Sequence, residues 1–162
     1  MFLMKHKIRY GPLAISLLIP LAVGGFSAFL TRDGMEYFKI VLKPPLSPPA
    51  WLFPVVWTIL YLLLGWASYL VWASGVSPAR RDRALTVYGL GLAVNFLWPI
   101  VFFTMRFYFT AFLLLLLLWV LAVVTALLFS CIVEKAGKLL IPYIVWLSFA
   151  AYLNVGVWVL NR

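Results

Sequence analysis

Eight tryptophans and eight tyrosines in 162 residues give this chain far more side chains that can stack on a flat ligand than side chains that can move a proton. Trp57 and Tyr61 stand one helical turn apart, Asn95 and Trp98 another, and Tyr143, Trp146 and Ala150 follow at three- and four-residue steps. Aromatic rings at such steps bury large areas and meet a ligand ring in offset or edge-to-face geometry. The acid–base repertoire is sparse. The four acidic residues, Asp33, Glu36, Asp82 and Glu134, fall in connections or at the ends of apolar runs, so no carboxylate pair is placed for proton transfer. His6 is the only histidine, and no His, Cys or carboxylate cluster has the spacing of a metal site. Cys131 is the only cysteine, which rules out an internal disulfide; its apolar surroundings predict inert packing.

The elements that position these residues follow from composition. The chain is 66% hydrophobic and 10% charged, more apolar than a soluble domain of this length can hide. A helix crosses the hydrocarbon core with roughly 20 residues at about 1.5 Å each. Five stretches qualify, near Gly11–Leu30, Trp51–Ala73, Ala84–Thr104, Phe109–Val133 and Leu139–Leu160. The fold class is therefore an all-α membrane protein, a five-helix transmembrane bundle forming a single domain over residues 1–162. The basic start followed by an apolar run resembles a signal peptide, but the run is too long and lacks a small-residue cleavage site, so it is taken as the first helix. The net charge of +9 is spread over the short connections and forms no nucleic-acid-binding patch. With five spans, one side collects Lys5, Lys7, Arg9, Arg80, Arg81, Arg83, Lys135 and Lys138, and the other collects Arg32, Lys39, Lys43, Arg106 and Arg162. The richer side is expected in the cytoplasm, with the N-terminus.

Between the first two spans, residues 31–50 form the longest connection, opening on a turn at Arg32-Asp33-Gly34 and stiffened by Pro44, Pro45, Pro48 and Pro49. Proline lacks an N–H and forces the residue before it towards extended geometry, so 43–49 read as a rigid strap that feeds the second helix at Trp51. A strap of this length, rich in aromatic residues and proline, is expected to act as a lid. Within the spans, Pro54, Trp57, Thr58, Tyr61, Gly65, Ser68 and Trp72 share one face, and Pro142, Tyr143, Trp146, Ala150, Leu153, Asn154 and Val157 share another. Around Asn95, Tyr88, Gly91, Trp98, Pro99 and Phe102 fall within roughly 60° at about 100° per residue. Asn95, an amide near mid-membrane, needs partners and marks either a site or an interhelical hydrogen bond. Gly89 and Ala93 lie opposite it and present a smooth outward strip suited to helix association. Pro20, Gly24 and Ala28 form a similar strip for packing within the bundle, whereas the leucine-rich fourth span reads as a lipid-facing scaffold.

Taken in order, Lys43-Pro44-Pro45, the run from Pro48-Pro49-Ala50-Trp51 through Trp57-Thr58-Ile59-Leu60-Tyr61, Asn95-Phe96-Leu97-Trp98, and Pro142-Tyr143 through Trp146 to Ala150-Ala151-Tyr152-Leu153-Asn154 resemble the translocator protein family, the tryptophan-rich sensory proteins of bacteria. The resemblance implies a five-helix bundle in a bacterial cell membrane, usually a homodimer, with a pocket closed by the first loop. It places ligand-binding residues at Trp57, Tyr61, Asn95, Trp98, Trp146 and Ala150, with Trp51 at the end of the strap counted among them, and its dimeric habit agrees with a dimer interface on the Gly89 and Ala93 strip, whose alternative is packing against a helix of the same bundle. The implied ligand is a porphyrin or another flat aromatic molecule, with no cofactor required. An alternative implied activity is light- and oxygen-dependent breakdown of porphyrin at Trp57 and Trp146, and a less favoured one is transport. Val155 and Val159 stand where the family's sterol motif needs a tyrosine and a basic residue, which weighs against sterol recognition. Leu46 replaces a common aromatic, and Tyr37-Phe38 replaces the usual Trp-Tyr pair.

Overall fold

In the computed structural model, which describes residues 8–162, every regular element is a helix. They are α1 (Tyr10–Phe38), α2 (Leu52–Trp72), α3 (Pro78–Pro99) with a π-helical turn over Ile100–Thr104, α4 (Tyr108–Ser130), the short α5 (Glu134–Lys138) and α6 (Ile141–Leu160). Five helical stretches are long and apolar enough to cross a membrane. His6, Lys5 and Lys7 lie outside the described residues.

Pro20 shows how composition sets the packing. A proline inside α1 gives no hydrogen bond to the carbonyl four residues back, which is that of Ser16. That freed carbonyl lies against Gly65 of α2, where an added Cβ would come within 2.6 Å of it and 2.7 Å of Leu17 Cα. The two backbones touch at this point, and only glycine lets them. One turn further along α1, Gly24 faces the ring of Tyr61, so this part of the small-residue strip packs within the bundle, while Ala28 is exposed.

Several expectations are corrected. Residues 31–38 continue α1 instead of opening a loop, and Arg32-Asp33-Gly34 is helical. Phe38 packs edge-on to Phe102 and Phe103, and Gly34 lies against the Phe103 carbonyl. This docking outweighs the modest helix penalty of a glycine. The strap is accordingly the shorter segment Lys39–Trp51. Arg80–Arg83, expected in a connection, form the first turns of α3, which starts on Pro78, a residue suited to a first helical turn. Helix α4 keeps an exposed apolar face, with Leu113, Leu117, Val120 and Leu127, as expected of a span facing lipid, but it also has a buried face that was not expected. Its Ala111, Leu115, Leu118, Ala122, Thr125 and Phe129 form one buried stripe against α3, α5 and α6. Leucines on both faces hide that stripe in the sequence. Cys131 also departs from expectation, since it caps α4 in an exposed position.

Arg9 and Arg80 meet the chain at one end of the bundle, whereas Lys43, Arg106 and Arg162 lie over the rings of Phe38, Tyr37 and Trp158 at the other. Arg9 lies over the Trp72 ring at 5.2 Å, and Arg80 donates to the Cys131 carbonyl. Gly89 has open space around it and Ala93 is exposed, so the strip opposite Asn95 faces out of the bundle.

Candidate functional site

Leu52 opens α2 directly after the strap, which sets Phe53, Trp57 and Tyr61 on successive turns of one face. From α6, Tyr143, Trp146 and Ala150 face them. The Trp57 ring stacks on Tyr61 at 5.5 Å between centroids and stands perpendicular to Trp146 at 6.5 Å. Tyr143 meets Trp57 edge-on at 6.3 Å, and Phe53 meets Trp146 edge-on at 5.9 Å. Below this cluster, Asn95 ties three helices together. The Tyr61 hydroxyl donates to Asn95 Oδ1 at 2.7 Å, and Asn95 Nδ2 donates to the Tyr143 hydroxyl at 2.9 Å. All three residues are buried. A hydrogen-bonded chain in an apolar interior resists displacement, so the network holds Tyr61 as a fixed platform beneath Trp57.

Trp98 belongs to a second cluster nearer the α3–α4 corner. Its ring stacks on Phe102 at 5.3 Å, and Phe102 in turn packs on Phe103 and Tyr108. Its Nε1 donates to Asn154 Oδ1 at 3.0 Å, and Asn154 Nδ2 donates to the Tyr108 carbonyl at 2.8 Å. Pro99 and the π-helical turn that follows it swing Phe102 into this corner.

The two clusters differ in the space beside them. Helices α2 and α6 make almost no backbone contact with each other. Between them lies an apolar cleft of about 440 Å³, lined by Val56, Ile59, Leu60 and Leu63 of α2 and by Pro142, Val145, Trp146 and Phe149 of α6. That volume is in the range of small-molecule sites, about 300–1,000 Å³. Trp146 Nε1 is buried and finds no hydrogen-bond partner among the described residues. Tyr88 Oη shares that condition, but it adjoins a cavity of only about 10 Å³, room for a single water at most. Of these two residues, Trp146 is the one that lines the larger cleft.

The strap is tied to α6. Asn161 Nδ2 donates to the Leu42 carbonyl at 2.8 Å while Leu42 N donates to Asn161 Oδ1 at 3.1 Å, and the Tyr152 hydroxyl donates to the Pro45 carbonyl at 2.8 Å. Buried Pro44 rests on Gly156, where a Cβ would fall 2.6 Å from the proline ring. Among the strap cations, Lys39 pairs with Glu36, whereas Lys43 lies over the Phe38 ring at 4.8 Å with no acidic partner among the described residues. Arg32, in α1, lies beside Asp33.

A family model for the TspO/MBR family matches residues 16–159. The chain is 35% identical to the tryptophan-rich protein TspO of Chlorobaculum tepidum over 98% of its own length and 99% of that protein. It is 36% identical to the translocator protein of Ovis aries, covering 90% of this chain and 87% of the relative, and 35% identical to the tryptophan-rich protein TspO of Archaeoglobus fulgidus, covering 92% and 96%. The chain belongs to the TspO/MBR family. It is an integral, multi-pass membrane protein.

Within this TspO/MBR fold, Trp57, Tyr61, Asn95, Trp146 and Ala150 come together where α2, α3 and α6 meet. Trp98 sits at the junction with the second cluster. Trp51 stands apart, 66% exposed at the head of α2. Sequence reasoning passed over Tyr143 and Asn154 as site residues, although both lie on the α6 face it identified. It also missed Phe53 and Phe149, which as lone phenylalanines in an apolar run give no signal beyond packing, and the clamp from Tyr152 and Asn161 to the strap.

Proposed function

We propose that this protein is a membrane receptor for a flat conjugated tetrapyrrole of the porphyrin class. The observation that carries the reading is the perpendicular Trp57–Trp146 pair, in which Trp146 lines a cleft of about 440 Å³ and keeps a buried N–H that has no partner among the described residues. A large planar ring fits such a site because it stacks on one indole and meets the other edge-on. The unsatisfied N–H then favours a ligand that brings an acceptor. A porphyrin's carboxylates need a cation, and Lys43 offers the strap charge without an acidic partner. The porphyrin is the ligand here and not a resident cofactor. Titration of the purified protein with protoporphyrin, with cholesterol in parallel, tests the reading through tryptophan fluorescence. Saturable quenching by protoporphyrin alone supports it, and an unsaturable or equal response to both overturns it.

The contact between Trp57 and Trp146 also favours a second reading, in which a bound, illuminated porphyrin is oxidised with these two indoles taking part. A Trp57→Phe, Trp146→Phe double variant then binds porphyrin but yields little new absorbing product in light and oxygen. Product equal to the wild type, or equal to detergent alone, leaves the receptor role only. As to assembly, the exposed strip at Gly89 and Ala93 supports a homodimer, because small residues let helices of two subunits approach closely.

A further inference from the structure

Two boundaries of the aromatic cluster differ in how they are closed. One is the strap; the other is the side between α2 and α6. The strap is held shut by three hydrogen bonds to α6 and by the seat of Pro44 on Gly156. Nothing comparable closes the side. The helices flanking the cleft make almost no backbone contact, and the residues at its lip, Ile59 and Val145, are 52% and 63% exposed. Both helices are long and apolar enough to span a membrane, so this lip faces hydrocarbon. The inner wall of the cleft is Trp146, whose ring also touches Trp57, Phe53 and Phe149. One side chain is thus shared by the opening and the aromatic cluster.

We propose that the α2–α6 cleft is the lateral entrance of the site, through which a flat apolar ligand dissolved in the bilayer passes to the aromatic cluster, with Trp146 as the swinging wall whose buried N–H is uncovered only when the ring turns. The proposal rests on the receptor reading and adds the route and the source of the ligand. The occupant comes from the membrane because every other residue lining the cleft is apolar and its mouth opens at membrane depth. A water-borne ligand would have to part the clamped strap. Rotation of one indole about its χ angles disturbs no hydrogen bond, since Trp146 Nε1 makes none to protein.

The test uses full-length protein in liposomes, fuses them with protein-free liposomes loaded with protoporphyrin so that the ligand arrives within the bilayer, and follows the rate of tryptophan quenching. Val145→Cys in a Cys131→Ser background is labelled after folding with a bulky, non-fluorescent maleimide, so that folding is not at issue. Circular dichroism of labelled and unlabelled samples verifies this. In a separate protein, Tyr152→Phe with Asn161→Ala frees the strap. The expected result is that the label slows association at least about tenfold, as a blocked approach changes on-rate, while freeing the strap changes it less than about twofold on the same scale. Unchanged association in the labelled protein, or acceleration only when the strap is freed, overturns the lateral route and leaves the receptor reading intact. Absence of quenching in the unlabelled protein overturns the receptor reading itself, and the porphyrin route with it.

Discussion

Trp146 and Trp98 are both half-buried tryptophans within ring-rich corners of one bundle, yet their surroundings differ in kind. Trp98 gives its N–H to Asn154, which is itself anchored on the Tyr108 carbonyl, and its ring lies flat on Phe102. Trp146 leaves its N–H unused and meets its neighbours at steep angles beside an open cleft. A satisfied polar group fixes a side chain in one place, and an unsatisfied one holds energy that a ligand can recover. The first arrangement ties α3, α4 and α6 together; the second is the one that the receptor reading assigns to binding.

The comparison predicts opposite outcomes for the two corners. Largest is Trp57→Ala, which removes the ring facing Trp146 and should weaken porphyrin binding by about 2 kcal/mol, the scale of a binding hot spot, read by fluorescence titration. Next comes Asn154→Ala. It orphans the Trp98 N–H and the Tyr108 carbonyl together and should lower stability in detergent by about 1–2 kcal/mol, with affinity for porphyrin almost unchanged. A large loss of affinity with no loss of stability would merge the two corners into one site. Smaller still is Lys43→Ala, expected to weaken protoporphyrin by about 1 kcal/mol through the loss of one exposed charge contact, and to leave an uncharged porphyrin ester unaffected. Trp72→Ala lies at the opposite end of α2, under Arg9, and should leave affinity within error. Gly89→Leu with Ala93→Leu should shift crosslinked dimer to monomer without touching porphyrin affinity. A variant that stays dimeric moves the interface elsewhere.

How much of this was legible in the sequence differs from element to element. Asn95 was readable because an amide in an apolar run has few explanations, and helical spacing put Tyr61 and Tyr143 on the faces that meet it. The strap's prolines were equally plain, but its beginning was not. The stretch Thr31–Phe38 contains a glycine and three charges that suggest a turn, and its helicity comes from Phe38 and Gly34 docking on a π-helical turn some seventy residues away. The buried stripe of α4 was invisible for the opposite reason. In lipid both faces of a helix are apolar, so hydrophobic periodicity no longer separates inside from outside. The cleft could not be read either, since Ile59 and Val145 look like any lipid-facing residues until α2 and α6 are seen to stand apart.

The most direct measurement is a protoporphyrin titration of three proteins prepared alike: wild type, Trp146→Ala and Trp98→Phe. The account predicts that Trp146→Ala binds about thirtyfold more weakly, as expected for about 2 kcal/mol, while Trp98→Phe keeps affinity within about threefold and loses thermal stability instead, as for one deleted hydrogen bond. Equal losses of affinity in both, or a larger one in Trp98→Phe, would contradict it.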